Sequence, residues 1–132
     1  MPENPAVLRL SLLPGQFSVC RLKPSDPLPT WATNGPFCAI TRTAEELSIV
    51  CPDASVPDGV VQEPGWRLLK VAGPLDFSLV GVLASLVTPL AQAGISIFAL
   101  STYDTDYLLV KKERLAQTLA ALQQAGHQVT NG

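Results

Sequence analysis

Apolar positions recur along this chain with two different periods, and the change from one to the other marks out its elements. Leu79, Leu83, Leu86 and Leu90 fall at near-helical spacing and form one stripe, which Val80, Val87 and Ala91 widen. The stripe predicts an amphipathic helix with Asp76 or Ser78 as N-cap and Gly94 as the left-handed residue that ends it. Pro89 sits inside it. Proline brings no N–H and crowds the carbonyl four residues back, so a kink or a tightened last turn is expected near Thr88.

After Gly94 the period drops to two. Ile95, Ile97 and Ala99 alternate with Ser96, Phe98 and Leu100, and Tyr107-Leu108-Leu109-Val110 is a second β-rich run, so neighbouring antiparallel strands are expected around Thr102 to Asp106. Leu115, Leu119 and Leu122 share a face with Ala116 and predict a second helix that stops at Gly126. His127 to Thr130 is short enough for a closing edge strand. With the apolar run Leu68 to Ala72 in front, the order from Arg67 is strand, helix, strand, strand, helix, strand. That is the ferredoxin-like βαββαβ arrangement of an α+β fold, an antiparallel sheet with its helices on one face.

The first half is strand-rich and punctuated by proline. Val7 to Leu13 and Phe17 to Leu22 flank Pro14-Gly15-Gln16, a hairpin signal. Pro24, Pro27 and Pro29 leave room for a turn or two of helix around Leu28 to Ala32. Phe37 to Thr41 and Leu47 to Cys51 read as strands, and Pro52 to Gly65 as a loop or linker. Placing Val50 on Val110 sets Phe37-Cys38-Ala39-Ile40 on Ile97-Phe98-Ala99-Leu100 and Glu46 on Asp106. Two related α+β units are therefore expected, residues 1–64 with eroded helices and residues 65–132 complete.

Composition narrows the functional classes. A chain of 132 residues, 47% hydrophobic and 15% charged, carries enough apolar material for a packed core. A net charge of −2 without a basic cluster argues against nucleic acid and against an anionic membrane surface. The stretch between Asp76 and Asp104 has no charged residue, yet Pro89, Gln92, Gly94 and the change of period argue against a membrane span. The Met1-Pro2-Glu3-Asn4-Pro5 start lacks a signal-peptide layout, so a cytoplasmic protein is expected. Cys20, Cys38 and Cys51 lie in apolar runs without CxxC spacing and read as buried free thiols.

Nothing points to catalysis. His127 is the lone histidine and lies just past a helix C-terminus, where a cation is favoured for structural reasons. No residue cluster has metal-ligand spacing, and no phosphate-cradling GxxxxGK[ST] or GxGxxG loop occurs. No cofactor and no metal are expected.

Three groups of residues carry a resemblance to a known family. These are Asp76-Phe77-Ser78-Leu79-Val80-Gly81-Val82-Leu83, then Ala93-Gly94-Ile95-Ser96-Ile97, then Leu100 to Val110. The segment Gly73 to Val129 resembles an ACT domain, and Phe37 to Val50 resembles a companion N-terminal unit. The likeness is to compact bacterial tandem-ACT proteins related to the CASTOR-type arginine sensors. It departs from the general ACT pattern at Val80, where many members have proline before the loop glycine, and at Pro89. The resemblance implies a regulatory module of amino-acid metabolism, pairing between ACT units and small effectors bound at the seam. It also implies that Thr102, Tyr103 and Asp106 face the ligand and that Ser78 and Leu79 are loop contacts.

The chemistry of such a seam follows from the residues. An amino acid needs one end for its carboxylate and another for its ammonium. The first amides of the helix, near Leu79 and Val80, supply the anion end, and Asp106 the cation end. Gly81 lets a ligand or chain approach the first turn. Each residue also has a plainer reading: Asp76 or Ser78 as helix cap, Asp104 and Asp106 as turn formers, Gly81 as a close-packing residue. The expectation is a non-catalytic, homodimeric sensor of a free amino acid, with a partner enzyme as a further expected contact. A ligand-free interaction module regulating a partner enzyme is the alternative, and whether Asp104 touches ligand is left open.

Overall fold

The computed structural model describes residues 7–73 and 81–131. In chain order the elements are β1 (Arg9–Leu12), β2 (Phe17–Leu22), a 3-10 turn (Thr30–Thr33), β3 (Ala39–Arg42), β4 (Leu47–Pro52), a 3-10 turn (Asp53–Ser55) and β5 (Val61–Val71). There follow α1 (Val82–Gln92), β6 (Ile97–Ser101), β7 (Asp106–Lys111), a 3-10 turn (Lys112–Arg114), α2 (Leu115–Gln124) and β8 (Gln128–Asn131). The chain divides into two compact units: residues 15–66, and residues up to 14 together with those from 67 onward. The leading strand thus groups with the second unit, whereas the sequence placed it in the first.

The contiguous unit is a sheet in the order β3-β4-β2-β5, antiparallel throughout. Alternation brings Cys20, Leu47, Ile49 and Cys51 to one core, which Ala32 of the first 3-10 turn joins. The prolines hold that turn to Thr30–Thr33, so the unit has strands and hardly any helix. Pro52 to Gly65 reads as a loop or linker in the sequence, but β5 already starts at Val61. Between the Val19↔Glu63 and Phe17↔Trp66 pairs β5 spends one extra residue, and Gly65, at φ +82°, supplies the left-handed conformation that this bulge needs. Breaker residues therefore mark a bulge here rather than a strand end.

The discontinuous unit keeps the predicted βαββαβ element order, with one strand added. Its sheet runs β6-β7-β5-β1-β8. β1 lies antiparallel to β5 and parallel to β8, and the second pairing departs from the antiparallel sheet that the sequence predicts. The expected hairpin of Val7–Leu13 with Phe17–Leu22 does not form. β1 pairs with Leu69–Val71 of β5 while β2 pairs with the part of β5 from Val61 to Trp66, because each strand delivers its apolar face to a different core. Leu10, Leu12, Leu69, Val71, Leu108 and Val110 of the sheet meet Leu86, Leu90 and Leu122 of the helices in the core of this unit. Ala116 is exposed, and Thr118 takes the buried place with its hydroxyl on the Arg114 carbonyl at 2.8 Å.

Both helices end as predicted, on left-handed glycines. At α1 the Gly94 amide bonds to the Ala91 carbonyl and the Ile95 amide to the Leu90 carbonyl. At α2 the Gly126 amide bonds to Gln123 and the His127 amide to Leu122, the same Schellman pattern. Pro89 does not end α1, which is continuous from Val82 to Gln92. Its missing N–H would have served the Ser85 carbonyl, and His127 Nε2 approaches that oxygen at 2.9 Å instead. His127 Nδ1 accepts the Leu8 amide at 3.1 Å, so Nε2 carries the ring proton and donates. His127 is only 4% exposed: it bridges the proline gap in α1 to the residue before β1, rather than presenting a cation to a helix end.

Candidate functional site

The turn between β6 and β7 is the part of the predicted site that the structure describes fully. The Thr102 amide bonds to the Thr105 carbonyl at 2.8 Å, and the Thr102 hydroxyl lies 3.1 Å from the same oxygen and 3.3 Å from the Thr105 amide. Asp106 opens β7 opposite Ser101, whose hydroxyl donates to Asp106 Oδ1 at 2.7 Å. Tyr103 stands at the tip, 81% exposed, and Asp104 is exposed beside it. Thr102, Tyr103 and Asp106 therefore share one tight turn.

Asp76, Ser78, Leu79 and Val80 lie outside the described residues, and with them the predicted N-cap and the start of the predicted helix. Gly81 is described: it precedes α1 in a left-handed conformation at φ +84°, and its carbonyl takes the Ser85 amide at 2.9 Å. Among the described residues nothing lies within 4 Å of the place where its side chain would be. Among the described residues no hydrogen bond joins Gly81 to the Thr102–Asp106 turn.

Gly73 does reach the turn. A Cβ on Gly73 would lie 3.0 Å from the Thr105 Cβ and 3.1 Å from the Asp104 carbonyl oxygen. Thr105, which sequence reading passed over, is the mooring: it is buried, and its hydroxyl donates to the Val71 carbonyl at 2.7 Å at the end of β5. The signal available in the sequence was a threonine and a glycine placed to meet. Neither is informative until β5 and β7 are known to pair.

The internal repeat is present, one residue away from where the sequence alignment put it. Thr43 repeats the role of Thr102: its amide bonds to the Glu46 carbonyl at 2.9 Å, and its hydroxyl accepts the Glu45 and Glu46 amides at 3.1 Å. The Arg42↔Leu47 pair then corresponds to Ser101↔Asp106, and Ala39↔Val50 to Phe98↔Leu109. Glu46 matches Thr105, not Asp106, and Asp106 matches Leu47. A slip of one residue exchanges the two faces of a strand, so the correction matters. Leu47 is fully buried, whereas the same place in the second hairpin holds a half-buried carboxylate.

Two other polar groupings are structural. Ser18, fully buried, lies 2.6 Å from Asp53 Oδ1 and 2.7 Å from the Gln62 side-chain oxygen, and Asp53 Oδ2 accepts the Gly65 amide at 3.3 Å. One hydroxyl has one proton, so the Gln62 amide is satisfied with its NH2 turned toward Ser18 while Ser18 donates to Asp53. This cluster fixes the bulge of β5. Cys20 and Cys51 are buried free thiols, but Cys38 is exposed, contrary to expectation. The hydrogen bond between the buried pair draws Cys20 down from its ordinary value and pushes Cys51 up, burial adding to the rise. Among the described residues no three His, Cys, Asp or Glu side chains are placed to hold a metal ion, and no helix is long and apolar enough to cross a membrane.

Element order and sheet topology define a ferredoxin-like α+β module of the ACT type. The ACT-domain family profile matches residues 61–124, and a profile for an N-terminal domain matches residues 15–59. The chain belongs to the ACT-domain proteins related to the CASTOR-type sensors. It is 36% identical over 59 residues to the human cytosolic arginine sensor for mTORC1 subunit 1, covering 44% of this chain and 18% of that protein. The mouse protein of the same name is 33% identical over 101 residues, covering 70% of this chain and 30% of that one. The chain thus spans less than a third of the length of these relatives. A protein of Agrobacterium tumefaciens solved by crystallography is 40% identical, with a TM-score of 0.91 and 96% of each chain covered. The regulatory subunit of aspartate kinase from Thermus thermophilus, 13% identical with a TM-score of 0.59 over 88% of this chain and 95% of that one, shares the fold.

Proposed function

We propose that this protein is a non-catalytic, cytoplasmic sensor of a free amino acid, binding it where the loop from Asp76 to Gly81 meets the Thr102–Asp106 turn. The observation that carries this reading is the place of Asp106. Its repeat partner, Leu47, is buried core, so a carboxylate there gains nothing from packing, and a ligand ammonium gives it a counter-charge. Oδ1 already takes the Ser101 hydroxyl, and among the described residues Oδ2 takes no hydrogen bond. The ligand carboxylate is proposed to take the backbone amides near Leu79 and Val80, which precede α1 in the sequence. The names of the mammalian relatives, arginine sensors, agree with an amino-acid effector.

The test is thermal melting of wild type and Asp106→Ala against a panel of amino acids. A ligand at 100 times its Kd adds about 2.7 kcal/mol to the native state, which moves the melting temperature of a chain this size by several degrees. Asp106→Ala should abolish the shift while changing the apo protein by less than about 1 kcal/mol. A ligand that shifts both proteins alike, or an apo loss of several kcal/mol, makes Asp106 a structural turn residue.

A further inference from the structure

We infer that β1 is an exchangeable strand, and that when it leaves β5 the last strand, β8, takes its place. A plain βαββαβ unit would set its last strand directly on its first, which is here the position of β1 between β5 and β8. β1 is antiparallel to β5 and parallel to β8, so β8 already runs in the direction that pairing with β5 demands. Closing the sheet takes a sideways step of one strand spacing, about 4.8 Å, with no reversal of chain direction.

The registers carry over as well. Leu10 pairs with Val71 on one side and Val129 on the other, and Leu12 with Leu69 and Asn131. Shifted across, Val129 stands opposite Val71 with its side chain still toward the helices, because facing residues share a face. Asn131 then stands opposite Leu69, where Leu12 is core. That polar residue in an apolar place keeps the exchanged arrangement the minor one. Holding β1 in place are the two ladders, the Leu13 amide on the Leu68 carbonyl, the Ala72 amide on the Arg9 carbonyl and the Leu8 contacts with His127 and Gln128. Beyond it, Pro14, Gly15 and Gln16 are exposed, and among the described residues nothing lies within 4 Å of a Cβ placed on Gly15, which leaves the connection room to pivot.

Residue-resolved hydrogen exchange on the full chain tests this. The amides of Arg9 to Leu12 should exchange at least about tenfold faster than those of Leu108 to Val110 in the same unit, since β1 opens without global unfolding. Asn131→Leu, which removes the penalty on the exchanged sheet, should speed β1 by a further severalfold and leave β7 unchanged. β1 amides as slow as those of β7 in wild type, or unaccelerated by Asn131→Leu, would overturn the proposal.

Discussion

Asp106 and Leu47 occupy the same place in two copies of one hairpin, and His127 and Pro89 solve one problem between them. The histidine gives the Ser85 carbonyl the donor that the proline withholds, and with its other nitrogen it takes the Leu8 amide. His127→Ala leaves both groups buried or half-buried without these partners, and a loss of about 2–3 kcal/mol in urea denaturation is expected. In a Pro89→Ala background the helix supplies its own donor to Ser85, so the same substitution should cost about 1 kcal/mol less. Independent effects in that double-mutant cycle would show that the ring does not serve the proline gap.

At the scale of elements, the turn owes its position to close approach. Gly73 lies against Thr105 and Asp104 so tightly that an added methyl group meets atoms at 3.0–3.1 Å. Gly73→Ala should therefore displace the Thr102–Asp106 turn, costing about 1–3 kcal/mol and weakening any amino-acid response more than Asp106→Asn weakens stability. Calorimetry of the two variants with and without ligand separates these terms. The helices, their glycine stops and both hairpins were legible in the sequence because local periodicity and turn chemistry fix them. The start of β5 was not, since Pro64 and Gly65 mark a bulge and a stop alike. Nor was the partner of β1, because Leu10 and Leu12 alternate equally well for a hairpin and for a slot beside β8. Of the candidate site, the hairpin turn that holds Thr102 and Asp106 was legible, whereas the buried place of Thr105 follows only from pairing in space.

For the whole molecule, open sheet margins set the expected assembly. Among the described residues β3 pairs with β4 alone and β8 with β1 alone, sheet margins of the kind that a second copy covers. A homodimer is expected, and light scattering at tens of micromolar should give twice the 14.0 kDa chain mass. A mass of one chain at that concentration would assign the edges to solvent.

The discontinuous unit also has a history in time. During synthesis β1 emerges early, yet its partners are Leu69–Val71 and the still later Gln128–Asn131. At about 5–20 residues per second, Leu10 and Leu12 wait roughly 6–24 s for the last strand. The strands β2, β3 and β4 and the Val61–Trp66 part of β5 that β2 pairs with are all synthesised long before then. A nascent chain therefore carries the paired strands of one unit and, beside them, one apolar strand still without its slot, a stage open to misassembly and to chaperones.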